Sequence, residues 1–136
     1  MDNRESVFLT SLNNLFFPQW IDKELIKKWK RILKLRDLVL KEMERKREEG
    51  LIGSSLEAEV ILKFNENDFS FYQSYQDALR EVLIVSNVNI EKGDFEVKIE
   101  KARGKKCLRC WNWRKDVGKN KEFPDICERC AKVLKC

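Results

Sequence analysis

The sequence predicts an α+β chain in three segments: a long amphipathic helix, a small βαββ unit and a four-cysteine module at the C-terminus. Three observations carry that expectation. From Lys23 to about Glu49 apolar residues recur mostly at three- and four-residue steps. After Gly50-Leu-Ile-Gly53-Ser-Ser the period drops to two, with Ala58, Val60, Leu62 and Phe64 alternating with Glu57, Glu59, Ile61 and Lys63. Near the end, Cys107-Leu-Arg-Cys110 and Cys127-Glu-Arg-Cys130 stand as matched knuckles with sixteen residues, Trp111 to Ile126, between them. A period near 3.6 marks a one-faced helix, and a period of two marks a half-buried strand.

Taken in order, residues 1–20 carry Phe8, Leu9, Leu12, Leu15, Phe16, Phe17 and Trp20 without a clear period, and Pro18 interrupts them. A segment this apolar is expected to lie across another surface. Asp22 then offers a helix N-cap, with Ile21 and Ile26 at the spacing of a hydrophobic staple. The stripe that follows runs through Ile26, Trp29, Ile32/Leu33, Val39/Leu40 and Met43, with Arg36 interrupting it. At 1.5 Å per residue the helix is roughly 40 Å long. That is more wall than a small domain offers, so it is expected to be the last member of a helical bundle. The alternating run over residues 58–64 is the first strand. Asn65-Glu-Asn-Asp68 marks a turn, and Phe69, Tyr72, Tyr75, Leu79 and Val82 fall at helical spacing. Val82 to Val88 reads as a second strand, Gly93-Asp94 as a turn, and Phe95, Val97 and Ile99 as a third strand leading into the first knuckle.

A Cys-x-x-Cys turn lets two sulfurs reach one ion, and a second knuckle after a loop of this length completes a tetrahedral site of the zinc-ribbon kind. With no histidine in the chain, all four ligands must be sulfur: Cys107, Cys110, Cys127 and Cys130. Such a site is closed, so one structural Zn2+ is expected to fold the segment, with iron the main competitor for an all-sulfur tetrahedron. Disulfides require an oxidising compartment, whereas the N-terminus shows no charged-then-apolar signal segment and the basic, Lys-rich chain reads as cytoplasmic. A redox Cys-x-x-Cys stands singly near a βαβ pattern, unlike this matched pair. Cys136, the last residue, reads as a free thiol.

The 136 residues build one modest domain or two small ones, and no apolar run approaches the roughly eighteen residues that span a bilayer. The net charge of +5 is uneven. Residues 101–136 hold twelve Lys/Arg against four Asp/Glu, and residues 1–100 hold sixteen against nineteen. A basic module on a mildly acidic body suits a polyanionic partner, and nucleic acid is the first candidate. Without histidine there is no Ser-His or Cys-His nucleophile, and the five scattered glycines form no phosphate loop. By itself the chain does not read as an enzyme.

Around the knuckles lie Lys105, Lys106, Arg109, Trp113, Arg114 and Lys115. Aromatic rings interleaved with cations suit unpaired RNA, because bases stack on the rings while the cations meet phosphates. These six residues are the RNA-binding candidates. Trp111, directly after a ligand, reads first as a shield for the metal, and Trp113 stands open between packing and stacking. The cations of Arg109 and Arg129, at the same place in each knuckle, either meet phosphate or offset the charge of the metal–thiolate core.

The run Lys106-Cys107-Leu-Arg-Cys110-Trp111-Asn-Trp113, then Asp116-Val-Gly118, then Ile126-Cys127-Glu-Arg-Cys130, resembles the C-terminal zinc module of bacterial-type isoleucyl-tRNA synthetases. Glu5-Ser-Val7, Trp20-Ile-Asp22, Leu35-Arg-Asp-Leu-Val-Leu40 and the segment Leu51-Ile-Gly-Ser-Ser-Leu-Glu-Ala-Glu-Val60 extend the likeness over nearly the whole chain. Phe8 stands where that family usually has histidine, and Trp113 where it commonly has tyrosine. The resemblance implies that residues 1–53 end a helical anticodon-binding domain, 54–104 form a small α/β domain and 105–136 form the zinc ribbon. It further implies that the module contacts the anticodon arm of isoleucine tRNA. ATP binding and aminoacylation would then belong to a catalytic domain with no counterpart here, the chain being an excised fragment or one piece of a split gene. The partners so implied are isoleucine tRNA and the remaining synthetase domains, with no membrane and no DNA. Two other readings stand beside this one: a DNA-binding ribbon like that of formamidopyrimidine-type DNA glycosylases, and a zinc-stapled protein-docking module. The N-terminal Pro-Glu of those glycosylases is absent from the Met-Asp-Asn start.

Overall fold

The computed structural model describes residues 17–135, in two compact units divided at Arg31/Ile32. The apolar residues before Phe17, the Glu5-Ser-Val7 run and Cys136 lie outside the described residues.

In the first unit a 3-10 turn, Pro18–Trp20, leads to Asp22, whose carboxylate accepts from the Leu25 N–H at 2.9 Å. That is the expected N-cap, and α1 (Lys23–Glu48) starts from it. Leu25, Ile26 and Trp29 in its first turns are all exposed.

In the second unit α1 buries Ile32, Leu35, Val39 and Met43. These fall at steps of three, four and four residues, so the stripe is continuous. The interruption expected at Arg36 disappears because Leu35, one position earlier, carries the face. The helix stops where expected. Gly50, at φ 75, lets Leu51 N–H donate back to Lys46 O and Gly50 N–H to Arg47 O, both at 3.0 Å, and Cβ-bearing residues avoid that left-handed conformation.

β1 (Ala58–Phe64) is the central strand of a three-stranded sheet in the order β2-β1-β3. Its inward residues Ala58, Val60, Leu62 and Phe64 are buried, as the alternation requires. β2 (Asn87–Lys92) runs parallel to it and β3 (Glu96–Lys101) antiparallel. The parallel pairing requires a crossover, supplied by α2 (Glu66–Ser74) and α3 (Gln76–Leu83). Asn65 caps α2 by accepting from the Asp68 N–H at 3.1 Å.

Two expectations shift here. The single helix over 69–82 is two helices broken at Tyr75, whose backbone (φ −107, ψ 12) leaves the helical region. The second strand lies at 87–92, not 82–88. The apolar run is divided instead among the end of α3, a left-handed Ile84 and a buried link, Val85-Ser86. A short apolar run satisfies a buried helix end and a buried strand equally, so periodicity could not separate them.

Ile32, Leu35, Val39 and Met43 share one core with Ile52, the inward face of β1, Tyr72, Leu79, Leu83, Val88 and Ile99. The C-terminal half of the long helix thus packs within the α/β unit. Phe64 stacks on Tyr72 with ring centroids 4.1 Å apart. Leu62, fully buried on the central strand, touches both sides of this arrangement's energetics: solvent transfer and cavity formation. Leu62→Ala is expected to lower unfolding stability by about 2–5 kcal/mol, read as a lower urea midpoint at unchanged slope.

Candidate metal centre

The last strand of the sheet passes through buried Ala102 and then exposed Gly104 into a two-stranded ribbon, β4 (Lys105–Lys106) against β5 (Trp113–Arg114). Lys105 pairs with Arg114 and Lys106 with Trp113. Gly104 is required at this entry. Its φ is +105, and a Cβ there would sit far inside contact distance of the Arg114 carbonyl, a backbone group with no room to yield.

The first knuckle hangs from β4. Cys107 N–H donates to Asn112 O at 2.9 Å, and Trp111 N–H donates to Cys107 O at 2.8 Å, closing the turn that aims Cys107 and Cys110 inward. The second knuckle is built on α4 (Glu128–Leu134), with Cys127 at its N-cap and Cys130 in its first turn. Leu108 N–H donates to Asp125 O, and Cys127 N–H points at Cys107 Sγ from 3.3 Å, so the backbone itself ties one knuckle to the other. Asp116 accepts the Glu128 N–H at 2.8 Å, anchoring the intervening loop to the start of α4.

All four Sγ atoms lie within 4.8 Å of one another, and Cys107, Cys127 and Cys130 are buried. Cys110 and Cys127 sulfurs are 3.8 Å apart. A tetrahedron with metal–sulfur bonds of about 2.3 Å has edges of roughly 3.8 Å, whereas a disulfide needs about 2.05 Å. The donor set therefore fits a tetrahedral thiolate-bound ion, and no pair among the four is a disulfide. Val117 and Ile126 pack around the sulfurs.

Cys107 and Cys127 are shifted in opposite directions by burial and hydrogen bonding. Burial pushes the Cys107 thiol up, but the backbone N–H groups of Cys110, Cys127 and Arg109, with the Cys110 side chain, bring it down to about 6. Cys127 is pushed up to about 12: burial is the largest cause, the Cys130 N–H works against it, and the sulfurs of Cys130, Cys107 and Cys110 add to it. Cys107 is thus poised as a first thiolate, while Cys127 holds its proton until a cation arrives.

Of the RNA-binding candidates, Lys105, Lys106, Arg109 and Lys115 are exposed, and Trp113 and Arg114 are half-buried. β4–β5 brings Lys105, Lys106, Trp113 and Arg114 together; Arg109 projects from the knuckle turn. Of the two tryptophans, Trp111 departs from the shielding role expected of it. Trp111, at φ 63, is 59% exposed, with Lys106 Nζ 5.1 Å from its ring centre, and so does not shield the sulfurs. Trp113 is tied down by its N–H donating to Ser86 Oγ at 2.6 Å, with Lys101 Nζ 5.7 Å from its ring centre. Ser86 was invisible to pattern reading. It is the one buried polar residue among those described, and its hydroxyl also donates to Leu56 O at 2.5 Å, so it pins the ribbon to the α/β unit. A cleft of about 310 Å3 opens beside it, with Arg103, Trp113, Lys115 and Lys119 on its walls.

The cysteine cage on a two-stranded ribbon defines a zinc-finger module, and residues 104–133 match the family model described as the zinc finger found in FPG and IleRS. The chain as a whole is 41% identical over 137 aligned positions to the isoleucine–tRNA ligase of Caldicellulosiruptor saccharolyticus, which covers 98% of this chain and 15% of that protein. It is 40% identical over 132 positions to that of Thermotoga neapolitana (88% and 14%) and 42% over 120 to that of Bordetella avium (86% and 13%). The chain is a counterpart of the C-terminal region of isoleucine–tRNA ligases, and it spans about one-seventh of the length of the relatives it matches.

Two outcomes test this geometry. At pH 7, zinc loading of the metal-free chain is expected to release protons, because Cys127, held near 12, must become a thiolate. Affinity then rises with pH and falls on acidification, which a calorimetric titration in buffers of different ionisation enthalpy checks. Gly104→Ala is expected to lower the thermal midpoint of the zinc-loaded chain and weaken zinc retention against a chelator, since β4 and β5 cannot close.

Proposed function

We propose that this chain is the tRNA-binding C-terminal portion of an isoleucine–tRNA ligase acting in the cytoplasm. Cys107, Cys110, Cys127 and Cys130 bind one zinc ion, which cross-links the two knuckles and holds the ribbon in shape. Residues 1–53 end the anticodon-binding helical domain, 54–104 form the small α/β domain and 105–136 the zinc ribbon. ATP-dependent activation of isoleucine and its transfer to tRNA belong to the catalytic domain outside this chain.

The observation that carries the reading is the pairing of cations with an open aromatic ring on the ribbon. Lys106 and Trp113 face each other across β4–β5, Lys105 faces Arg114, and exposed Trp111 stands next to them under Lys106. Such a surface stacks an unpaired base and neutralises adjoining phosphates, as an anticodon loop requires. The likeness to isoleucine–tRNA ligases supports isoleucine tRNA as that RNA. Lys105, Lys106, Arg109, Trp113, Arg114 and Lys115 are its contacts, joined now by Trp111. In the first unit, Trp20 at 67% exposure and Ile21, Leu25, Ile26 and Trp29 beside it in sequence suit docking against the rest of the synthetase. Among the described residues no helix is long and apolar enough to cross a membrane.

The zinc-loaded chain is expected to prefer isoleucine tRNA over other tRNAs and over duplex DNA of equal charge, at two salt concentrations, and to lose that preference on chelation. Equal, steeply salt-dependent binding to all three would reduce the ribbon to a basic patch, and a preference for duplex DNA would favour the glycosylase-type reading. Trp111→Ala is expected to weaken the cognate complex by about 1–3 kcal/mol while leaving zinc content unchanged, checked by fluorescence anisotropy with parallel metal analysis.

A further inference from the structure

A second cleft, of about 280 Å3, lies between the C-terminal end of α3 and the ribbon, and it gathers three guanidiniums from three separate segments. Arg80 comes from α3, Arg114 from β5 and Arg129 from the second knuckle; Glu81, Ile84 and Asn112 complete the part that matters here. None of the three arginines forms an ion pair among the described residues, and Glu81 is the only carboxylate on the wall. Three cations held around one cavity against a single anion leave a local positive field.

Arg114 sharpens the point. Its Nε is buried and has no hydrogen-bond partner. Leaving a buried donor unsatisfied costs on the order of 1–3 kcal/mol, and native folds rarely tolerate it without a role. Ile84 adds strain at the same place: a β-branched residue at φ 55, ψ 49, with its side chain 62% exposed. That left-handed turn has a consequence for charge. It directs Val85 N–H to Arg80 O and Ile84 N–H to Glu81 O, both at 3.2 Å, so these carbonyls at the negative end of α3 are occupied by backbone donors.

We propose that this cleft is a phosphate site and, resting on the RNA-binding reading above, that it takes one backbone phosphodiester of the bound RNA. Three guanidinium forks arriving from different directions suit a tetrahedral group with oxygens on several sides, whereas a planar carboxylate serves one bidentate fork. The position suits a strand already on the ribbon, because Arg114 lines both this cleft and the one beside Trp113 and Lys115. Arg80 and Arg129 thereby extend the contact surface beyond the knuckle face, onto α3.

The test uses the full zinc-loaded chain, 15N-labelled, with the Arg114 Nε–H resonance as reporter. Isoleucine tRNA is one titrant and inorganic phosphate the other. The RNA is expected to shift that resonance. Arg80→Gln, distant in sequence from the cysteines, is expected to weaken RNA binding at least about tenfold and to lower the slope of log K against log salt by roughly 0.7–0.9. The charge-matched control Arg45→Gln, on α1, keeps both near wild type. RNA binding with an unchanged slope in Arg80→Gln and an unmoved Arg114 Nε–H would overturn the site while leaving the RNA-binding reading intact. A resonance moved by inorganic phosphate, with no RNA bound, would overturn the phosphodiester assignment and the RNA-binding reading together, leaving a free-phosphate site. An unmoved resonance with either titrant, together with no binding of the RNA, overturns both.

Discussion

The crowding of four sulfurs into one small, largely buried space is the constraint on which the C-terminal third depends. The Sγ atoms lie within 4.8 Å of one another, and their surroundings act oppositely on two of them: burial holds Cys127 up, whereas backbone N–H groups bring Cys107 down. A divalent metal replaces their protons with one shared charge. Little else holds this segment: its strands are two residues each, and Val117 and Ile126 are the chief apolar neighbours of the cage. The ribbon's shape is therefore set by coordination chemistry more than by a hydrophobic core.

The α/β unit obeys the opposite economy. β1 is paired on both edges and covered by residues from α1, α2 and α3, so its fully buried alternate residues anchor the sheet. Two very different sources of order must then meet at a defined angle. Ser86 makes that junction, donating to Leu56 O on one side and accepting Trp113 N–H on the other. Gly104 makes the second junction, since only a residue without Cβ lets β4 approach Arg114 so closely. Through these contacts the cations of the ribbon are held beside those of α3, which converts a basic composition into a directed surface.

Legibility in the sequence tracked the range of the forces involved. α1, its Asp22 cap, its stop at Gly50 and the alternation of β1 were readable because each is fixed by neighbours within a turn or two. The second strand was misplaced because Val82 to Val88 is apolar throughout, and a left-handed Ile84 has no compositional signature. In the site, the four cysteines were legible as a set from spacing. Trp111 was misjudged because adjacency to a ligand in sequence says nothing of direction once the backbone enters φ 63.

By itself the sequence determined the α+β composition, the long helix, the matched knuckles and the likeness to the C-terminal region of isoleucine–tRNA ligases, because periodicity and ligand spacing are local. Only the tertiary structure decided that β1 lies between β2 and β3, that Ser86 joins the two halves of the second unit, and that Arg80, Arg114 and Arg129 share a cleft. These are encounters between segments distant along the chain. They follow from burying one core and one sulfur cage at once, which no single stretch of sequence encodes.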